Sequence, residues 1–222
     1  MVICDQYNFN FIRIPKNASS SLAHFFVENC CNNRDIYTEV NDVGITNNKV
    51  PHNIILQYKK QYRFIHLTLQ EIIDNDLISK SDAIKKKNIG VIRNPLDRQL
   101  SLYFFLNRTS RNNSPDEFRE HFKDGYHFRD VSNQIRQTDY LTIDGIDRGD
   151  WWVYENLDTH INEFIEKNTL TLKTGLKNFK SQIRPKDKSI VDKFYDQKTI
   201  DAVKKYYEKD FEKYYNLTGI EI

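Results

Sequence analysis

A run of alternating apolar residues breaks abruptly at a proline and gives way to small hydroxyl-bearing residues: Phe9-Asn10-Phe11-Ile12-Arg13-Ile14-Pro15-Lys16-Asn17-Ala18-Ser19-Ser20-Ser21-Leu22. Phe9, Phe11, Ile12 and Ile14 have the pattern of a short strand, and Leu22, Phe25 and Phe26 begin an amphipathic helix. Pro15 has no N–H to give a ladder, so the strand must end there in a tight turn. Backbone amides that converge in such a turn, with Lys16 beside them, make a cradle for an anion. The ATP-loop pattern of glycines followed by Lys-Ser/Thr is absent, because Lys16 precedes the small residues; ordinary ATP chemistry is disfavoured. The alternative is a capped helix start whose serines satisfy its own orphan N–H groups.

At 222 residues the chain suits one domain, 1–222, with a core that needs no staples. Thirty-three basic residues against 31 acidic leave a net charge of +2, so no global field points to nucleic acid. Cys4, Cys30 and Cys31 offer neither an even disulfide set nor zinc-ligand spacing in sequence, and the histidines add none, so no metal is expected. No apolar run approaches the ~20 residues of a membrane span, and no leader pattern precedes the first strand. The expectation is a cytoplasmic chain without a membrane segment.

Asn32 to Pro51 is polar and reads as a surface loop, and Asn53 to Lys60 has weak helical periodicity. Tyr62-Arg63-Phe64-Ile65-His66 reads as a brief strand, and Thr68 with Glu71 has capping-box spacing for a helix directly after it. His66 is thereby expected at a strand's C-terminal end, where open α/β sheets hold ligands; the alternative is a structural histidine. Asn88 to Ile92 is a buried strand. After it, Asn94, Pro95 and Asp97 are an N-cap, an N1 proline and an acidic first turn, with Leu96, Leu100, Tyr103 and Phe104 as the apolar stripe. Arg93 is left at the strand's tip and Ser101 two turns into the helix. Ser114 to Glu117 starts another helix, Trp151 to Leu157 is a strand entering a helix, and Thr199 to Tyr215 is one amphipathic helix packing over the sheet.

The pairing of Ile14-Pro15-Lys16-Asn17-Ala18-Ser19-Ser20-Ser21-Leu22 with Arg93-Asn94-Pro95-Leu96-Asp97-Arg98-Gln99-Leu100-Ser101-Leu102-Tyr103 resembles the two signature regions of sulfotransferases that use 3'-phosphoadenosine-5'-phosphosulfate. The likeness is to the carbohydrate-type, family 2 sulfotransferases, and Tyr154-Glu155-Asn156-Leu157 is similar to a further element of them. The resemblance implies an α/β fold of three layers, α/β/α, around a central mostly parallel sheet, related to P-loop kinases. It also implies that Lys16, Asn17, Ala18, Ser19, Ser20 and Ser21 hold the 5'-phosphosulfate, and that Arg93 and Ser101 hold the 3'-phosphate. His66 corresponds to the family's general base, with His52 its competitor, and Lys16 offsets charge on the leaving phosphate. The acceptor implied is a hydroxyl on a saccharide, with Lys180 or Arg184 as a candidate nucleotide contact. Asn17 stands where relatives often carry Thr or Ser, and Ala18 where many carry Gly. A phosphoryl-transferring kinase and a nucleotide- or glycan-binding module without turnover are the rival readings.

Overall fold

The computed structural model describes residues 1–41, 44–58, 60–107, 113–122, 135–177 and 190–222. The fold is α/β. Its elements are, in order, β1 (Val2–Cys4), β2 (Phe9–Phe11), α1 (Ser19–Cys30), β3 (Ile36–Asn41), β4 (Gly44–Asn48), α2 (His52–Gln57), a 3-10 turn (Lys60–Ile65), α3 (Leu69–Asp74), α4 (Lys80–Lys85), β5 (Lys87–Ile92), α5 (Pro95–Leu106) and α6 (Pro115–Glu120). There follow a second 3-10 turn (Thr138–Leu141), β6 (Thr142–Ile143), β7 (Ile146–Asp147), β8 (Gly149–Val153), α7 (Leu157–Asn168), α8 (Ile190–Phe194), α9 (Gln197–Tyr206) and α10 (Glu208–Thr218). Contacts gather these into two compact units, Met1–Ile92 with Gln137–Phe179, and Arg93–Arg136 with Lys180–Ile222. None of the described helices is long and apolar enough to cross a membrane.

The first unit holds a six-stranded sheet in the order β4-β3-β1-β2-β5-β8. β2–β5 and β5–β8 pair parallel, whereas β1–β2, β1–β3 and β3–β4 pair antiparallel. Hence β2, β5, β8 and β3 all run one way, with β1 and β4 against them. One face buries Val2, Cys4, Phe9, Phe11, Ile89, Val91 and Trp152 against α1 and α7. Phe26 of α1 is the hub, its ring 4.8 Å from Phe9, 5.1 Å from Phe11 and 5.3 Å from Phe164; truncating such a ring costs about 3–5 kcal/mol. Asn10 and Asn88 face the other way, bonded to each other at 2.8 Å, and Asn88 donates on to the Ala83 carbonyl of α4. On that face Gly90 matters, since a Cβ there would lie 2.5 Å from Leu141. Its absence lets the Thr138–Leu141 turn sit on β5, which brings neighbouring Gln137 to the end of the sheet.

Three expectations for this unit are corrected. The stretch from Asn32 to Pro51 is not a loop throughout, because it carries β3 and β4, drawn into the sheet by the open edge of β1 at Val2↔Tyr37 and Ile3↔Ile36. The β-branched residues at Ile36, Thr38, Val40 and Ile45 were the available signal. Residues Tyr62 to Ile65 are not a strand but part of a 3-10 turn, whose tight i→i+3 closure is visible in the His66 N–H to Arg63 carbonyl bond at 2.8 Å. His66 therefore follows a turn, not a strand. The β2 ladder stops at Phe11, short of Ile14, although Ile12 N–H still reaches the Ile89 carbonyl at 2.9 Å.

In the second unit, α5 starts as its residues demand. Asn94 Oδ1 accepts from the N–H groups of Leu96 and Asp97, with Pro95 at N1. Ser114 likewise caps α6 by accepting from Glu117 N–H. Leu96, Leu100, Tyr103, Phe104, Phe118 and Phe194 form its core. The expected helix over Thr199 to Tyr215 is two helices, broken at fully buried Tyr207 (φ −107°, ψ 26°). Val203 and Tyr207 pack in the α5 cluster.

Candidate functional site

The turn after β2 departs from ordinary backbone at two residues that are not glycine. Lys16 has φ +70° and Ala18 φ +55°, both in the left-handed region that disfavours a Cβ. Ala18 is the N-cap of α1 and supplies no side-chain cap; Ser19, Ser20 and Ser21 are its first three helical residues rather than its caps. The first-turn N–H groups, those of Ser19 and Ser20 among them, have no intrahelical acceptor. A capping side chain typically contributes ~1 kcal/mol, so this twelve-residue helix forgoes stabilisation at the end where its dipole favours negative charge. No acidic residue stands in that first turn. The arrangement suits an anion.

Asn17 is fully buried between the two strained residues, and its side chain turns inward. Its Nδ2 donates to the Val91 carbonyl of β5 at 2.6 Å and to Gln137 Oε1 at 2.5 Å. The amide thus ties the turn to the sheet and to Gln137. Arg13, also fully buried, does similar work on the near side: its guanidinium donates to the Thr38 carbonyl at 2.8 Å and to Ser20 Oγ at 3.2 Å.

His66 joins this turn through Arg13. Its Nδ1 lies 2.7 Å from the Arg13 carbonyl oxygen. A carbonyl can only accept, so Nδ1 carries the proton and Nε2 holds the lone pair. Nε2 has no hydrogen-bond partner among the described residues. Burial of the ring, with the positive charge of Arg13 added to it, holds the imidazole well below its ordinary 6.5. The side chain is neutral at pH 7, with its basic nitrogen chosen by the backbone. By contrast His52 is exposed at the first position of α2, and His24 is buried within α1.

Arg93 and Ser101 belong to the second unit. Arg93 follows the last residue of β5, and its Nε donates to Asp97 Oδ2 at 2.6 Å, in an ion pair one helical turn along. Ser101 lies one further turn beyond Asp97 on the same face of α5, half-exposed, its hydroxyl without a partner among the described residues. Lys180 and Arg184 lie outside the described residues.

Comparison with known families matches residues 1–216 to the sulfotransferase family. The chain belongs to that family. The match runs across both units and takes in both signature regions of this sulfotransferase. No curated protein and no solved structure matches it.

Of the residues that hold this sulfotransferase's histidine in place, Arg63 was not singled out from sequence, whereas Thr68 and Glu71 were read as a capping box. Arg63 donates from Nη2 to both oxygens of Glu71, at 2.8 and 2.6 Å, and from Nη1 to the His66 carbonyl. Glu71 Oε2 in turn accepts from Thr68 N–H at 2.7 Å, completing the capping box read from the sequence. The backbone on either side of His66 is thereby pinned by one bidentate pair. An arginine inside the apolar run Phe9 to Ile14 was the one sequence signal for Arg13, since a buried guanidinium demands built-in acceptors.

Proposed function

We propose that this sulfotransferase moves the sulfuryl group of 3'-phosphoadenosine-5'-phosphosulfate to a hydroxyl, with a saccharide as the acceptor class. The observation that carries the reading is the bond between His66 Nδ1 and the Arg13 carbonyl, which couples a neutral imidazole to the uncapped start of α1. When bound, the donor supplies the sulfuryl group and a good phosphate leaving group. His66 Nε2 takes the proton from the acceptor hydroxyl as that oxygen becomes nucleophilic. Lys16 and the N–H groups at Ser19 to Ser21 offset negative charge on the departing phosphate oxygen, a stabilisation that is strongest where charge develops.

Arg93 and Ser101 are assigned the 3'-phosphate by the family resemblance. Support within the second unit is chemical: a guanidinium just ahead of α5, oriented by Asp97 of its first turn, and the Ser101 hydroxyl one turn beyond Asp97, available to donate. These groups distinguish the donor nucleotide from ATP, which has no 3'-phosphate. In this reading Lys16 and the backbone N–H groups at the turn are the donors to the anion, and the acceptor class rests on the resemblance alone.

The test is calorimetric titration of the full chain with 3'-phosphoadenosine-5'-phosphate and with ATP and magnesium, followed by transfer of labelled sulfate to a panel of saccharides. Preference for the bisphosphate nucleotide and labelled saccharide are expected. Preference for ATP would favour a kinase, and bisphosphate binding without transfer to any hydroxyl would favour a binding module; either result overturns the proposal.

A further inference from the structure

Three side chains far apart in sequence meet at one end of β1. Cys4 closes that strand, Cys31 is the C-cap of α1, and Asp35 stands in the turn before β3; the two sulfurs and a carboxylate oxygen all lie within 4.8 Å of one another. Each is held by its own element. Cys4 is in ladder register with Phe9, and the Cys31 N–H is bonded to the carbonyls of Phe26 and Val27. Asp35 is 1% exposed, and its two oxygens accept from the N–H groups of Asp5 at 2.9 Å and Asn32 at 2.8 Å. A carboxylate has about four acceptor sites, so both oxygens keep capacity for another partner.

We infer that Cys4, Cys31 and Asp35 form a binding site for a zinc-class divalent cation, with a solvent molecule or other exchangeable ligand in the fourth position. Two thiols with one carboxylate is a donor set for zinc and not for magnesium or calcium, which take oxygen throughout. Tetrahedral zinc with sulfur at about 2.3 Å and oxygen at about 2.0–2.2 Å places its ligand atoms about 3.5–3.8 Å apart, so the group needs to close by roughly 1 Å. Cys31 has the freedom for this, being half-exposed beside the exposed residues Asn32 to Arg34, which also leaves a way in. The backbone N–H bonds to Asp35 play the orienting part that outer-shell donors play at metal centres. Cys30, adjacent in sequence, is excluded: its thiol is buried and stands outside the cluster. Bound cation would tie together β1, the end of α1 and the approach to β3, a structural role independent of sulfuryl transfer.

The experiment uses the reduced, chelator-treated full chain and cobalt(II) as the probe. One equivalent of cobalt should produce thiolate-to-metal charge-transfer and tetrahedral ligand-field bands, which one equivalent of zinc removes. Cys31→Ser should lose the charge-transfer band, and Cys30→Ser should keep it. In the wild-type chain, needing no variant to fold, zinc should slow alkylation of Cys31 by about tenfold or more, since a bound thiolate is no longer a free nucleophile. No band, a band of full strength in Cys31→Ser, or alkylation unaffected by zinc each overturns the inference.

Discussion

His66 Nδ1 donates to the carbonyl oxygen of Arg13 across 2.7 Å, and this bond decides which ring nitrogen is available as a base. A general base typically contributes 10²–10⁴-fold in rate, so with His66 in the proposed role His66→Ala should lower kcat by about that factor. Affinity for 3'-phosphoadenosine-5'-phosphate, measured by calorimetry, should stay within about twofold, because the lost interaction belongs to the transition state. Unchanged kcat would remove His66 from the base role.

The pH dependence follows from the same environment. As the proposed base, His66 is active when neutral, and its folded pKa lies well below 6.5, so kcat/KM should stay level as pH falls through 6.5 and decline only well beneath it. Stability carries the same sign. Below pH 6.5 the unfolded chain takes up a proton at this residue before the folded one does. The contribution is complete above 6.5 and is lost as pH falls toward the folded value. Denaturation midpoints of wild type and His66→Ala between pH 7.5 and 5 are the check, the wild type losing more stability toward acid.

Lys16→Ala should reduce kcat by about 10²–10³-fold, the loss seen when one preorganised donor to a developing anion is removed. Alanine at φ +70° bears a left-handed penalty like that of lysine, so thermal stability should change little. Steady-state kinetics beside a melting curve separates the two effects.

Asn17→Ala removes a buried donor from both the Val91 carbonyl and Gln137 Oε1. A loss of about 1–3 kcal/mol is expected, read as a lower urea midpoint. Because the turn is also cut loose from β5, nucleotide affinity should weaken with it.

Ala18→Gly relieves the strain at φ +55°. Left-handed alanine costs roughly 1–2 kcal/mol, and glycine returns about half of that in unfolded-state entropy, for a net gain of ~0.5–1 kcal/mol. Ala18→Val, β-branched at the same φ, should go the other way by more than about 1 kcal/mol. Urea denaturation of the two variants tests the sign.

Where structure depends on neighbours a few residues apart, the chain announced it. The capping box at Thr68 and Glu71 and the Asn94-Pro95 start of α5 each follow from local hydrogen bonding, and each is present. The strain at Lys16 and Ala18 was foreshadowed only by small residues in a position that favours glycine. Pairing across distance was less legible. β3 and β4 form because the edge of β1 is open, a fact about the sheet rather than about residues Ile36 to Asn48. Tyr207 breaks a helical pattern because its ring is needed in the α5 cluster.

Residue types and their near spacing were thus settled by sequence: a proline-ended turn rich in small residues, capped helices, and a histidine and an arginine at fixed places along the chain. Which nitrogen of His66 is basic, where the Asn17 amide turns, and that Cys4 and Cys31 meet across 27 positions were settled only by tertiary structure. Short-range preference is an energy between neighbours along the chain. Tautomer, burial and ligand clustering depend on groups that packing brings in from elsewhere.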